Sequence, residues 1–169
     1  MKHLSVWALS LTALLAMAGC GRQADEAPRA AAGSGLEKII VTEPAPQAVG
    51  VVAAREKVQD GEAVVVEGRV KDFVEGAPVF TLTDGSLPSC KDNGEDCPTP
   101  WDFCCFDAKT IAANTATIKL VGADGQLLSG SPRGTSGLDH LTTVVAEGKA
   151  RRDEQGNLVV EATRVYVKK

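Results

Sequence analysis

Two valine-rich stretches, AVVVEGRVK at residues 63–71 and TTVVAEGKA at residues 142–150, each carry a glycine in their middle. β-Branched residues in such short runs ask for strands. A glycine inside a strand marks a bulge, a sharp bend or a close approach of another backbone. The two runs share a pattern, Val66-Glu67-Gly68-Arg69-Val70 and Val145-Ala146-Glu147-Gly148-Lys149. Glycines so placed let strongly coiled strands pair with two neighbours each, which is what a small closed barrel needs.

Three further segments read as strands. Residues 78–84 (PVFTLTD) alternate Val79, Thr81 and Thr83 against Phe80 and Leu82. Residues 115–121 (TATIKLV) stop at the turn Ala123-Asp124-Gly125, and residues 158–167 (LVVEATRVYV) follow a hairpin turn, DEQGN. Residues 49–58 place Val51, Val52, Ala54 and Val58 at helical spacing, ended by Asp60-Gly61. Ser136-Gly137-Leu138-Asp139 reads as a capping box opening one helical turn that carries Leu138 and Leu141. The order is strand, strand, strand, short helix, strand, strand. This predicts an all-β fold, a five-stranded OB-fold-like barrel with a short helix between strands three and four and a short helix before it.

The N-terminus predicts export. Lys2 and His3 precede an apolar run over residues 4–18, too short to span a bilayer comfortably. It closes in Met17-Ala18-Gly19-Cys20, which resembles a bacterial lipobox. The resemblance implies a signal peptide over residues 1–19 and acylation of Cys20. Two or three acyl chains anchor firmly, at about 0.8 kcal/mol per buried methylene. Residues 20–48 are expected to be a lipidated cysteine and flexible tether, because residues 21–35 (GRQADEAPRAAAGSG) lack large apolar side chains. The OB-fold-like domain is then expected over residues 49–169. The expected location is the periplasmic side of the cell envelope, with the membrane as a partner through the anchor.

Other resemblances fall on the barrel. VVVEGRV, VFTLTD and VVAEGKARRDEQGNLVVEATRVYV resemble OB-folds of the tRNA-anticodon-binding type. With the preceding VVAAREKVQDGEA, the chain is also similar to small periplasmic bacterial OB-fold proteins. With its CPTPWDFCC segment it resembles a group of bacterial OB-fold lipoproteins carrying a CPTPWD(F/Y)CC insertion, which brings an expected fold and no ligand.

The insertion, at about residues 85–110, holds Cys90, Cys97, Cys104 and Cys105 in the spacing C-x6-C-x6-C-C. No Cys-x-x-Cys pair is present, so neither a zinc knuckle nor a thioredoxin-like motif is spelled out. The flanks are acidic, with Asp84, Asp92, Glu95, Asp96, Asp102 and Asp107, which works against a reactive thiolate. On an extended strand Cys104 and Cys105 point to opposite sides. That predicts two structural disulfides, one to Cys90 and one to Cys97, persisting in an oxidising compartment and each worth roughly 2–4 kcal/mol. The alternatives are a thiolate site for Cu(I) or zinc, or a redox centre, on the same four residues; no other cofactor is expected. Trp101, Phe103 and Phe106 are the candidate binding surface, with Pro98 and Pro100 stiffening the approach. The other reading of Trp101 is packing over a disulfide or covering the barrel's side.

No catalytic residue is assigned. His140 is the single histidine beyond the leader and reads as structural, and no GxSxG, Walker A or GxGxxG occurs. Asp92, Asn93, Glu95 and Asp96 miss the EF-hand spacing and read as a solvated acidic loop. Strands two and three offer only Phe80 and Lys119 for bases and phosphates, and from Val58 onward acidic residues outnumber basic ones 17 to 12. Both argue against nucleic acid as a partner. The expectation is therefore a non-enzymatic, lipid-anchored binding module for a protein, glycan or small-molecule partner, with the alternative of a thiolate metal or thiol-redox protein.

Overall fold

The computed structural model describes residues 35–169. The expected leader, Cys20 and most of the tether lie outside the described residues. Leu36–Ile39 forms one helical turn (α1) that runs into a two-residue strand, Ile40–Val41 (β1). Val49–Gly50 (β2) leads into α2, Val51–Lys57. The five long strands follow: β3 Ala63–Phe73, β4 Val79–Thr83, β5 Thr115–Leu120, β6 Thr143–Arg152 and β7 Leu158–Val167. A helix α3, Ala108–Ala113, precedes β5, and a 3-10 turn, Thr135–Gly137, lies between β5 and β6.

Strand pairing closes the sheet. β3 pairs antiparallel with β4, β4 with β5, β7 with β6 and β6 with β3, while β5 and β7 run parallel. Numbering the five as one to five, the order is 1-2-3-5-4-1, the topology of the OB barrel. Along β3 the inward positions are Val64, Val66, Gly68 and Val70, and the chain changes partner near Arg69, pairing with β6 before it and β4 after it. Phe80, Leu82, Ile118, Leu120, Val144, Leu158 and Val160 are fully buried in the lumen.

Both glycines behave as their placement requires. A Cβ on Gly68 would stand 2.8 Å from the Thr83 carbonyl oxygen and 3.1 Å from Val51 of α2, so its absence lets the helix close this end of the barrel. At Gly148 the β6–β7 register shifts: Glu147 faces Arg164 and Gly148 faces Ala162, leaving Thr163 as an extra residue on β7. That bulge flips the inward set of β7 from Leu158, Val160 and Ala162 to Val165 and Val167.

Two expectations need correction. The tether ends earlier than residue 48: Leu36 and Ile40 are core residues, and β1 lies parallel to β7 with Ile40 opposite Val165. The short helix expected between strands three and four is present as a 3-10 turn, Thr135–Gly137, but no capping box opens it. Ser136 and Leu141 take left-handed backbone conformations (φ 52° and 61°), and the Ser136 hydroxyl donates to the Ile40 carbonyl at 2.7 Å. The insertion leads into α3, which Asp107 caps by accepting from the Lys109 and Thr110 amides. The N-terminus of α2 has no capping side chain of its own; Asp84 at the end of β4 accepts from the Val52 amide at 2.9 Å.

Candidate functional site

The insertion is built on the outward face of β3. Inward positions there are apolar, so Arg69 and Lys71 point away from the lumen. The Arg69 guanidinium pairs with Asp92 and reaches Ser89 Oγ at 3.5 Å, and Lys71 approaches Asp102 at 4.0 Å. Asp92 also accepts from the amide and hydroxyl of Ser89, both at 2.8 Å. The hydrogen bonds from Arg69 and the Ser89 amide hold the Asp92 carboxyl down to about 2.

A pH dependence follows. The folded value lies below the unfolded value of about 3.9, so the stabilisation is complete above pH ~4 and disappears as pH falls through about 2. The Asp92 side chain is 39% exposed, so the pair is worth about 1 kcal/mol or less. The gap in unfolding free energy between wild type and Asp92→Asn is expected at pH 6 and should close by pH 2, measured by denaturant titration. A gap independent of pH would show that Asp92 acts otherwise.

Backbone bonds tie the two halves of the insertion together. The Cys90 amide donates to the Asp102 carbonyl and the Lys91 amide to the Pro100 carbonyl, both at 2.8 Å, and the Glu95 amide donates to the Cys90 carbonyl at 3.0 Å. Phe103 is 0% exposed and Cys90 1%, while Cys104 and Cys105 are exposed. Phe103 is therefore an anchor of the insertion, not part of a binding surface. Trp101 and Phe106 are half-buried. One face of Trp101 stacks on the His140 ring, with centroids 4.6 Å apart and planes 20° apart. His140 in turn meets Phe73 edge-on at 5.2 Å, and its Nδ1 lies 2.6 Å from the Lys71 carbonyl oxygen. Its role is to seat the insertion. Phe80 points into the core and offers no face to a base.

The four thiols are free, and no disulfide lies at bonding distance among the described residues. The expected pair of bridges assumed an extended Cys104-Cys105. Instead the Phe106 amide donates to the Phe103 carbonyl at 3.1 Å, closing a turn over both cysteines. Their thiols therefore converge on one cluster instead of pointing to opposite sides. Cys104 Sγ lies 3.1 Å from Cys90 Sγ and 3.8 Å from Cys97 Sγ, and the Cys105 thiol donates to Glu95 Oε1 at 3.1 Å. The ligand atoms of Cys90, Glu95, Cys104 and Cys105 all lie within 4.8 Å of one another.

Donation to Cys90 pushes the Cys104 thiol up to about 11, and donation to Glu95 pushes Cys105 up to about 12. The bond to Cys90 also raises Cys97. Cys90, accepting from Cys104, shifts down but is buried. A redox thiol needs an accessible, depressed thiolate. Here the two exposed thiols are held protonated. In the sequence Glu95 is one acid among many. Nothing in its spacing shows that the turn at Gly94 (φ 70°) returns its carboxylate to the cysteines.

A closed barrel of this strand order with a structured insertion between its second and third strands defines an OB-fold protein. No protein-family model matches the chain, and no curated protein matches it in sequence. Solved structures similar to it include the hypothetical protein ygiW from E. coli, 10% identical, with 75% of this chain and 95% of that one covered and a TM-score of 0.41. Aspartyl tRNA synthetase from Entamoeba histolytica is 9% identical, with 76% of this chain and 24% of that one covered and a TM-score of 0.42. The OBody AM1L10 bound to hen egg-white lysozyme is 11% identical, with 74% and 97% covered and a TM-score of 0.40. The chain thus spans about a quarter of the synthetase. At such identities and scores the fold assignment rests on the strand pairing itself.

Proposed function

We propose that the protein is a lipid-anchored binding module of the cell envelope, in which the OB barrel is the scaffold and the cysteine-rich insertion the recognition element. The supporting observation is that the insertion is pre-organised. It is bonded across its own two halves, carries a buried Phe103 and stacks Trp101 on His140, yet leaves Pro98, Thr99, Cys104 and Cys105 in solvent. A loop already ordered before binding loses little conformational entropy on capturing a partner. The ligand sought is a protein, glycan or small molecule, since the acidic surface disfavours polyanions. The lipobox-like Cys20 supplies the anchor and keeps the module at the membrane.

The test is made in the cell envelope. A photo-crosslinking residue at Thr99 is expected to give one discrete adduct, and the same residue at Glu154, on the β6–β7 hairpin, none. Cys20→Ala is expected to move the protein from the membrane to the soluble fraction. Equal adducts from both positions would remove the insertion as the recognition element, and an unchanged membrane fraction would remove the anchor.

A further inference from the structure

We propose that Cys90, Glu95, Cys104 and Cys105 form a tetrahedral site for one borderline divalent cation of the zinc class, with Cys97 beside it and outside the coordination shell. Two separate backbone turns bring the donors together. The first carries Cys90 and Glu95 and is closed by the Glu95 amide on the Cys90 carbonyl at 3.0 Å. The second carries Cys104 and Cys105 and is closed by the Phe106 amide on the Phe103 carbonyl. The Cys90 amide on the Asp102 carbonyl locks the two turns to each other. The donors therefore stand on hydrogen-bonded backbone rather than on a slack loop.

The spacing suits the ion. A tetrahedral ion with metal–sulfur bonds of about 2.3 Å places its sulfurs about 3.8 Å apart. The donor atoms here span 3.1 Å, between Cys90 and Cys104, to at most 4.8 Å. Small side-chain rotations of the exposed Cys104 and Cys105 bring them to the required edge. Cys97 Sγ reaches Cys104 Sγ at 3.8 Å and Glu95 Oε2 at 3.9 Å, but the donors that all lie within 4.8 Å of one another are Cys90, Glu95, Cys104 and Cys105, without it.

The donor types choose the class. Three sulfurs exclude calcium and magnesium, which take oxygen ligands. A carboxylate oxygen as the fourth donor favours a borderline divalent ion over Cu(I), whose preference is for soft thiolate and thioether ligands. The step balances as one divalent ion replacing three thiol protons: three metal–sulfur bonds and one bond to the Glu95 carboxylate oxygen form, three S–H bonds break, and three protons leave. The Cys105 thiol already donates to Glu95 Oε1, so the ion takes the place of that shared proton.

The site is independent of partner capture, so it is tested on the purified chain alone. Protein that is reduced, stripped with chelator and shown to hold all four insertion thiols free is titrated with Co²⁺. One equivalent is expected to give thiolate-to-cobalt charge-transfer absorption and the intense visible bands of tetrahedral Co²⁺, both removed by Zn²⁺. Cys104→Ser, Cys105→Ser and Glu95→Gln should each weaken uptake by more than about tenfold, the low end even for an outer-shell partner. Cys97→Ser should leave it within about twofold. Cys104, Cys105 and Glu95 are exposed and Cys97 is half-buried, and circular dichroism checks that each variant keeps the barrel. Absence of the charge-transfer band in the reduced protein overturns the site. So does a Cys97→Ser loss equal to that of Cys105→Ser, or a native protein isolated with two disulfides in place of the four thiols.

Discussion

Gly148→Ala removes about 3 kcal/mol or more from a fold whose whole stability is on the order of 5–15 kcal/mol. The added methyl has nowhere to go. An ideal Cβ at residue 148 would lie 2.1 Å from the Glu161 carbonyl oxygen and 2.7 Å from the Ala162 Cα. Both are backbone atoms of the adjacent strand, so no side-chain rotation relieves the contact. β7 must separate from β6 at the bulge, where Gly148 is paired with Ala162. That separation breaks the ladder that turns β7 from one inward set to the other. It therefore reaches the core on both sides of the bulge, Val160 and Ala162 before it and Val165 after it. Gly68→Ala should cost less, because its nearest contact is the Thr83 carbonyl oxygen at 2.8 Å and the Val51 side chain can shift. Gly85→Ala is the control: nothing lies within 4 Å of its Cβ position, and its change should stay within about 0.5 kcal/mol. Denaturant unfolding of the three variants ranks them. A Gly148→Ala midpoint equal to wild type would mean that the β6–β7 approach is looser than described.

The same glycines explain why the barrel was legible. β-Branched runs and alternation along residues 63–71, 78–84, 115–121, 142–150 and 158–167 mark strands within a residue or two of those observed; period two survives in β3, β4 and β5, while β6 and β7 bury successive residues and are legible by residue type. The glycines then identified which strands coil. Residues 36–41 were opaque for the opposite reason. A four-residue helical turn joined to a two-residue strand has no period, and its place is set by β7 and by the Ser136 hydroxyl, both more than ninety residues away. The expected capping box failed because Ser136 spends its hydroxyl on Ile40 rather than on its own helix. At the insertion, residue types pointed to the right neighbourhood and the wrong geometry. Treating Cys104-Cys105 as extended separated two thiols that a turn brings together. By residue type Phe103 is indistinguishable from Trp101 and Phe106; its burial alone marks it as the apolar anchor the insertion needs.

That anchor carries the second large effect. Phe103→Ala should release the insertion while leaving the barrel folded. Truncating a fully buried Phe costs about 3–5 kcal/mol. The other fastenings are weaker. Arg69–Asp92 and Lys71–Asp102 are partly exposed pairs worth about 1 kcal/mol or less each, and the Trp101–His140 stack about 0.5–1.5 kcal/mol beyond its area. Together they come to about 3.5 kcal/mol at most against a loss of about 3–5 kcal/mol, so the insertion is expected to open locally. Leu87, Cys90 and Phe103 are buried but stand outside the cluster that fills the barrel, so little of the cost reaches the lumen. Hydrogen exchange separates the two outcomes. In Phe103→Ala the amides of Cys90, Lys91, Glu95 and Asp102, now bonded to carbonyls within the insertion, should exchange nearly as fast as free peptide. Those of β6 and β7 should keep wild-type protection. The Co²⁺ signal should fall with the insertion amides, because both donor turns lose the frame that brings them together. Equal loss of protection in strands and insertion would instead make the insertion an integral part of the barrel's cooperative unit, and the barrel could then no longer be treated as a scaffold on which a separable recognition element is mounted.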